Sequence, residues 1–243
     1  MITLERRETE CGTITIYRRK LTGSVVYYQG SYCQSEADRA GVSCASYVHA
    51  LFDLLLQNDA RDVLMIGCGG GTLGTMLARV SRRVTVVDVN GDSFDLARRY
   101  FALPPDVSCR VADGRDFLFS HAEQYDAIVL DAFQADEIPH HLRSLAFLKL
   151  AAKRLRSRGT FLVNVHVQDD MDPTPDRVAH GVAAAWQDVR LLDTPGHPER
   201  NAIVVAGNVL RLRLPTLRLP PNGPVNEIIR ELNAMRFRPW QVG

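Results

Sequence analysis

The sequence predicts an α/β protein with a Rossmann-like, doubly wound seven-stranded sheet and a small N-terminal antiparallel β unit. From residue 63 onward, short apolar runs alternate with stretches of helical periodicity. Strands and helices that alternate in this way imply a parallel sheet with right-handed crossovers. By contrast, residues 1 to 35 lack helical periodicity and contain two short β-like runs, 13–17 and 24–28, on either side of a Thr-Gly turn.

The chain divides into an N-terminal β unit, a nucleoside-binding catalytic domain and a C-terminal linker with a helix. The expected boundaries are 1–45, 46–215 and 216–243. The helices are predicted at 46–56, 72–80, 93–101, 116–121, 141–155, 175–186 and 225–235. The strands of the main sheet are predicted at 63–66, 84–88, 107–111, 125–131, 160–165, 189–192 and 201–206, the last antiparallel to its neighbour.

A glycine loop directly follows the first apolar strand, with Gly67, Gly69 and Gly71 at alternate positions. Glycines allow a sharp turn and a close approach of the backbone to a ligand, and the N–H groups of the next helix face the same point. Gly69, Gly71 and Gly74 also fit a dinucleotide fingerprint. Because Gly67 follows the strand at once, the spacing favours an S-adenosylmethionine-type cofactor.

Acidic residues end the next strands of the predicted sheet, where ligands of such sheets bind. Asp88 lies about 20 residues beyond the glycine loop, where a carboxylate can accept hydrogen bonds from ribose hydroxyls. Asp113 and Gly114 follow the third strand, where they are expected to meet adenine. The alternative for both aspartates is a helix N-cap.

Asp131 ends the fourth strand, beside the expected position of the reactive sulfonium, and is the candidate base for a nucleophilic amine. Capping of the following loop is the alternative. His166, after the fifth strand, is either a substrate-side proton shuttle or a structural histidine. The His140-His141 pair with Asp136 predicts no metal site, because neighbouring helix residues point about 100° apart.

These residues resemble the spermidine synthase superfamily of aminopropyltransferases, in its spermidine synthase-like branch, over residues 29–164. The shared features include the glycine loop, Asp88, Asp113-Gly114 and the run from Tyr125 to Asp131. The resemblance implies aminopropyl transfer from decarboxylated S-adenosylmethionine to a polyamine, within a homodimer. It also implies that Asp131 is the base, that Tyr47 helps to hold the amine, and that Gln34 lies on the amine side.

Departures from that family concern the carboxylates. Its glycine loop usually carries an aspartate where this chain has Gly70, and its fourth strand usually ends in Asp-Ser-Ser-Asp-Pro. Here the corresponding run places the second carboxylate at Asp136 or Glu137. We therefore expect a transferase that alkylates an amine, with two alternatives: an S-adenosylmethionine-dependent methyltransferase and a non-catalytic nucleoside-binding protein.

Composition limits the partners. The net charge of +1 provides no broad attraction to nucleic acid or anionic membranes, and no apolar run is long enough to span a bilayer. The expected partner is a small-molecule amine. Five irregularly spaced cysteines and the lack of a signal-like N-terminal run predict a reducing, cytoplasmic setting.

Overall fold

The computed structural model describes residues 1–134 and 137–240, which form two sheets. The N-terminal sheet is an antiparallel meander in the order β1-β2-β3-β4. Its strands are β1 (Ile2–Thr9), β2 (Gly12–Arg18), β3 (Val25–Gln29) and β4 (Tyr32–Ala37). The sequence predicted only the two central strands, because the edge strands β1 and β4 contain at most one buried residue each and lack a sustained apolar face.

The main sheet has the order β12-β10-β11-β9-β8-β5-β6-β7. The strands β5 to β9 run parallel, while β11 is antiparallel to both β9 and β10. The bounds are β5 (Asp62–Ile66), β6 (Arg83–Asp88), β7 (Ser108–Val111), β8 (Tyr125–Leu130), β9 (Leu155–Val167), β10 (Val189–Asp193), β11 (Arg200–Gly207) and β12 (Arg236–Arg238). The seven predicted strands are all present, and the predicted fold class is confirmed.

One strand was not predicted. β12 pairs with β10 through Leu191 and Arg238, Leu192 and Phe237, and Asp193 and Arg236. It has only three residues, and it exists because the preceding helix returns the chain to the edge of the sheet. Such a short run has no periodicity of its own.

Helices cover both faces of the main sheet. Their bounds are α1 (Ser46–Gln57), α2 (Thr72–Arg79), α3 (Gly91–Tyr100), α4 (Gly114–Ser120), α5 (Leu145–Lys153), α6 (Thr174–Ala183) and α7 (Val225–Ala234). Side chains of α1, α2, α3 and α7 share one apolar core with the sheet, and those of α4, α5 and α6 share a second. None of the helices among the described residues is long and apolar enough to cross a membrane.

The predicted helix 141–155 is corrected to two elements. A 3₁₀ turn covers His140–Arg143, and α5 begins after Ser144. Ser144 has an extended backbone, and its hydroxyl accepts a hydrogen bond from the Phe147 N–H, which caps α5. Serine at an N-cap favours a helix start at this point. Leu155, the predicted helix end, instead begins β9 and pairs with Tyr125.

The C-terminal segment is fastened to the main domain before it reaches α7. The fully buried carboxylate of Asp53 on α1 accepts hydrogen bonds from the Thr216 N–H at 2.8 Å and from the Arg218 guanidinium at 2.6 Å. Beyond α7, Arg238 contacts both Asp193 and Asp176. Because both ends are held, α7 has a fixed position against α1.

Candidate functional site

A cavity of about 790 Å³ opens between the N-terminal sheet and the carboxyl ends of the parallel strands. Its walls come from β4, the start of α1, the glycine loop, the ends of β8 and β9, the loop before β11, and α7. Five residues that the sequence singled out line it: Gln34, Tyr47, Gly69, Asp131 and His166. The structure thus brings together the predicted catalytic and amine-side residues that lie in its described part.

The glycine loop has the left-handed backbone that its residues predict. Gly67, Gly69 and Gly71 all have positive φ, at 102°, 51° and 65°. A Cβ at Gly67 would lie 2.1 Å from the Asp131 carbonyl oxygen, so only glycine lets the β5 and β8 ends approach this closely. Gly71 then serves as the N-cap position of α2. The loop N–H groups are consequently held at the carboxyl edge of the sheet.

The side chain of Asp88 is hydrogen-bonded to the backbone of this loop. Its carboxylate accepts hydrogen bonds from the backbone N–H groups of Cys68 and Asn90, each at 2.8 Å. Asn90, not Asp88, caps α3, so the N-cap alternative for Asp88 is wrong. Burial raises the pKa of the carboxyl, while the two backbone hydrogen bonds oppose that rise. A carboxylate has about four acceptor sites, so Asp88 retains acceptor capacity for ribose hydroxyls.

Asp113 does cap a helix. Its Oδ1 accepts from the N–H groups of Arg115 at 2.9 Å and Asp116 at 3.2 Å, at the start of α4. Its Oδ2 accepts from His141 Nε2 at 2.6 Å. Burial would raise the pKa of Asp113, but the His141 contact and the capping bonds hold it below its ordinary value. One acceptor position on Oδ2 stays open, so capping and nucleobase binding are compatible.

Gly114 has a packing role of its own. A Cβ there would lie 2.4 Å from Ile66 Cγ2, so glycine lets the first turn of α4 lie against the end of β5. Asp88, Asp113, Gly67, Gly71 and Gly114 do not line the cavity themselves. They lie at the ends of β5, β6 and β7 and at the helix starts beyond them, which is the edge where nucleosides bind in doubly wound sheets.

Asp131 lies in the cavity wall, one residue after β8. Its backbone N–H donates to the Ile66 carbonyl at 2.9 Å, and its carboxylate accepts from the Asn164 amide at 2.8 Å. Burial raises the pKa of Asp131 to about 6, against the opposing effect of Asn164. A carboxyl with this pKa can take up or release a proton close to neutral pH.

Tyr47 lines the same cavity from the first turn of α1. Burial raises the pKa of its hydroxyl well above the ordinary range, and the nearby negative charge of Asp131 adds to that effect. The Tyr47 hydroxyl therefore stays protonated at neutral pH and can act as a hydrogen-bond donor or acceptor. Asp131 and Tyr47 thus place a carboxyl with a raised pKa and a protonated hydroxyl in the wall of one cavity.

The remaining predicted residues lie at the cavity margin or outside the described chain. His166 Nε2 lies 3.3 Å from Glu199 Oε2, a largely exposed carboxylate. This contact is compatible with both interpretations of His166. Gln34 lies in β4 beside the glycine loop, its Cβ 3.8 Å from where a Cβ of Gly69 would be. Asp136, the predicted second carboxylate, lies outside the described residues.

Several cavity residues were not predicted. Asn164, Ser35, Glu199, Glu231 and Met235 line the cavity, and Ser35 Oγ accepts a hydrogen bond from the Gly70 N–H at 2.9 Å. Asn164 was the one recognisable case, since it is a polar residue inside an apolar strand. The others come from segments whose place in the site depends on long-range packing.

Gly70 differs from the other loop glycines because its φ is not positive, and the restriction on a side chain at this position is steric. A Cβ at Gly70 would lie 2.8 Å from Cδ1 of the fully buried Phe101 ring. Phe101 packs against Tyr27 in the core beneath the N-terminal sheet. A side chain at position 70 would therefore enter that core unless Phe101 moved.

Residues 63–159 match the family model of a methyltransferase domain. Among curated proteins, the chain is 30% identical over 132 residues to a probable polyamine aminopropyl transferase of Bifidobacterium longum, covering 54% of this chain and 30% of that protein. It is also 25% identical over 180 residues to a ubiquinone biosynthesis O-methyltransferase of Xanthomonas campestris, covering 74% of this chain and 67% of that protein.

Among solved structures, a probable spermidine synthase from Corynebacterium glutamicum superposes with a TM-score of 0.77 at 19% identity. That alignment covers 97% of this chain and 89% of the other. The match to the curated aminopropyltransferases spans less than half of their length. The structural likeness therefore extends well beyond the stretch in which the sequences are recognisably similar.

Proposed function

We propose that this chain, which has the spermidine synthase-like form of the methyltransferase fold, is a transferase that uses an S-adenosyl sulfonium donor to alkylate an amine. The reaction we favour moves an aminopropyl group from decarboxylated S-adenosylmethionine to a polyamine or another amine. The observation that carries this proposal is Asp131, a buried carboxylate with a pKa of about 6 that lines the cavity beside Tyr47. The aminopropyltransferase names of curated relatives support it.

The donor side of the site consists of the glycine loop, Asp88 and Asp113. The Gly67 backbone leaves no room for a Cβ, and both Gly67 and Gly69 have positive φ, which suits a loop that approaches a ligand closely. Asp88 offers free acceptor positions for ribose hydroxyls, and Asp113 offers one for the nucleobase amine. When bound, the donor supplies an electrophilic carbon and a neutral thioether leaving group.

The chain itself has to align the acceptor and handle its proton. Asp131 Oδ2 is free of the Asn164 hydrogen bond, which goes to Oδ1, so it can take a proton from an incoming amine nitrogen. The protonated hydroxyl of Tyr47 can hold the same nitrogen in line. Burial of Asp131 raises its proton affinity, which makes it a stronger base than an exposed aspartate.

Methyl transfer from intact S-adenosylmethionine is the second candidate, and Gly70 is the observation that favours it. The space beside Gly70 is filled by Phe101, so a carboxylate side chain at this position would have to displace that ring. A loop without that negative charge suits a donor that keeps its own carboxylate. The O-methyltransferase relative and the methyltransferase domain match agree with this candidate.

The test is calorimetric titration of the purified chain with intact and with decarboxylated S-adenosylmethionine. Incubation of each donor with putrescine, followed by mass spectrometry, then identifies the product. Tighter binding of the decarboxylated donor and a mass gain of one aminopropyl group on putrescine are expected. Preference for the intact donor would favour methyl transfer. Binding without turnover of any amine would favour a nucleoside-binding protein, and no binding of either donor would refute the proposal.

A further inference from the structure

The C-terminal helix α7 contributes to the cavity wall, although the sequence analysis placed it outside the nucleoside-binding domain. Glu231 and Met235, one turn apart on α7 and at its end, both line the cavity. Ile228 and Leu232, on the adjoining face of the helix, are buried in the core. The position of Glu231 is therefore set by a packed helix whose two ends are anchored, and not by a loose tail.

Some of the charged side chains around the cavity are already paired with a side chain of opposite charge. Arg200, the arginine in the wall, is held by Asp193 at 2.7 Å and by Asp170 at 3.1 Å. Glu36 is held by Arg19 through hydrogen bonds of 2.7 and 2.8 Å. These groups consequently contribute little net charge to the space that an acceptor would occupy.

Three other carboxylates line the cavity without an arginine or lysine partner in the described part of the chain: Asp131, Glu199 and Glu231. Asp131 is bound to the neutral Asn164, and Glu199 lies next to His166. Within residues 1–134 and 137–240, Glu231 makes no hydrogen bond or ion pair through its side chain. The cavity therefore has an excess of negative charge, and within the described residues the Glu231 carboxylate is not neutralised by a cationic side chain.

We infer that Glu231 is a specificity-determining residue that binds the second, non-reacting ammonium group of a diamine or polyamine acceptor. This inference rests on the proposed function, because it assigns the reacting amine to Asp131 and the distal amine to α7. An acceptor with two separated cationic groups matches two separated carboxylates in one cavity. A neutral acceptor would leave Glu231 without a counter-charge and would not use it.

In this assignment, Glu231 takes the place of the second carboxylate that the sequence analysis expected at Asp136 or Glu137. In the resembling family, the second carboxylate follows the fourth strand, and here that position falls on Asp136 or Glu137. Glu137 is engaged with Arg143 at 3.0 Å. Glu231 comes instead from α7, which packs against α1, and it lines the same cavity as Tyr47.

The experiment compares Glu231→Gln with Glu227→Gln in the full chain. Glu227 lies one turn earlier on α7, is exposed and does not line the cavity, so its replacement makes the same change in charge without touching the site. Putrescine and butylamine serve as probes, since they share a four-carbon chain but only putrescine has a second ammonium. Affinities are measured by calorimetry, with and without saturating 5′-methylthioadenosine.

For Glu231→Gln, we expect putrescine to bind about tenfold more weakly or worse, because a charge-assisted contact is lost. Butylamine binding should stay unchanged, and Glu227→Gln should bind both amines like the parent chain. If turnover is measurable, KM for putrescine should rise while kcat is kept. Equal putrescine affinity in Glu231→Gln and the parent, equal weakening in both variants, or no putrescine binding by the parent would overturn the inference.

Titrations with the donors distinguish a failure of this inference from a failure of the proposed function. If the chain binds an S-adenosyl donor but its putrescine affinity does not depend on Glu231, the proposed function stands and only the role assigned to Glu231 is wrong. A chain that binds no donor loses the proposed function, whereas a putrescine affinity that depends on Glu231 would still establish an amine site in this cavity.

Discussion

The side-chain amide of Asn164 donates a 2.8 Å hydrogen bond to the Asp131 carboxylate, and Asn164 in turn accepts a hydrogen bond from Asn201 at 3.0 Å. These contacts connect the ends of β8, β9 and β11 across the floor of the cavity. Asn164 is almost fully buried, so it holds Asp131 in one orientation. The site thus contains a carboxylate whose position and proton affinity are both set by its neighbours.

We expect Asp131→Asn to lower kcat by about 10²- to 10⁴-fold, the usual contribution of a positioned general base. Asparagine keeps the shape of the side chain but cannot accept the proton. Donor affinity should stay within about twofold, because the donor-side groups lie on other strands. Steady-state kinetics with the best amine, together with donor calorimetry, check this. Full turnover by the variant with intact donor binding would remove Asp131 from its role.

Asn164→Ala should move the acidic limb of the kcat/KM pH profile to higher pH. In the parent chain, activity should fall as the pH drops through about 6, where Asp131 takes up its proton. Burial sets this raised pKa, and the Asn164 hydrogen bond opposes it, so losing the bond raises the pKa further. Asn201→Ala is the control, because it leaves the Asn164 bond to Asp131 in place. An unchanged acidic limb in Asn164→Ala would contradict this prediction.

The same burial predicts that Asp131 lowers the stability of the fold. Its folded pKa of about 6 lies above the ordinary aspartate value of about 3.9, so the folded state binds the proton more tightly than the unfolded state. The cost is therefore absent below about pH 4, grows as the pH rises, and is complete above about pH 6. Asp131→Asn should raise Tm at pH 7.5 but not at pH 3.5, as measured by circular dichroism. An equal Tm at both pH values in variant and parent would argue against a buried charge here.

Much of this arrangement followed from the sequence because it depends on local patterns. The apolar run before Gly67 and the position of Asp131 at a strand end both follow from a buried parallel strand. These features are fixed within a few residues of each other along the chain. The glycine loop, the seven strands and the doubly wound fold are accordingly confirmed by the structure.

What the sequence did not reveal depends on contacts between distant segments. Glu231 reaches the cavity because Asp53 holds Arg218 and so directs the chain toward α7. His141 reaches Asp113 because Ser144 ends the 3₁₀ turn that carries it. No periodicity in the sequence encodes such pairings, since each one needs the tertiary fold to exist first.

Asp113 has two roles that substitution can separate. Asp113→Asn keeps a side-chain oxygen that can cap α4, because asparagine and aspartate cap helices about equally well. Its amide nitrogen, however, places donors where a nucleobase amine needs an acceptor. We expect Tm to fall only by the loss of the His141 hydrogen bond to Oδ2, and the donor affinity to be at least about tenfold weaker, measured by calorimetry.

Asp113→Ala provides the comparison. It should lose the cap as well, at a cost of about 0.5–2 kcal/mol in stability. If Asp113→Asn binds the donor as tightly as the parent chain, Asp113 is a helix cap only, and the nucleobase amine is bound by another group.

Gly70 offers a test of which donor the loop accepts. Gly70→Ala should destabilise the fold by about 1–3 kcal/mol, the usual cost of overpacking a core, because its Cβ would lie 2.8 Å from the buried Phe101 ring. Chemical denaturation measures this loss. Gly181→Ala is the matched control, since a Cβ at Gly181 meets nothing within 4 Å, and it should not destabilise the fold.

The same steric argument predicts the behaviour of a carboxylate at position 70. Gly70→Asp alone should bind both donors more weakly, since its side chain must displace Phe101 and disturb the loop. Gly70→Asp combined with Phe101→Leu removes the ring atoms that occupy the space, so the double variant should recover stability relative to Gly70→Asp. If its carboxylate then reaches the donor tail, the ratio of affinities should shift toward the decarboxylated donor, whose tail carries an ammonium and no carboxylate. Preference for the decarboxylated donor in Gly70→Asp alone, without loss of stability, would mean that Phe101 yields readily and does not determine which donor the loop accepts.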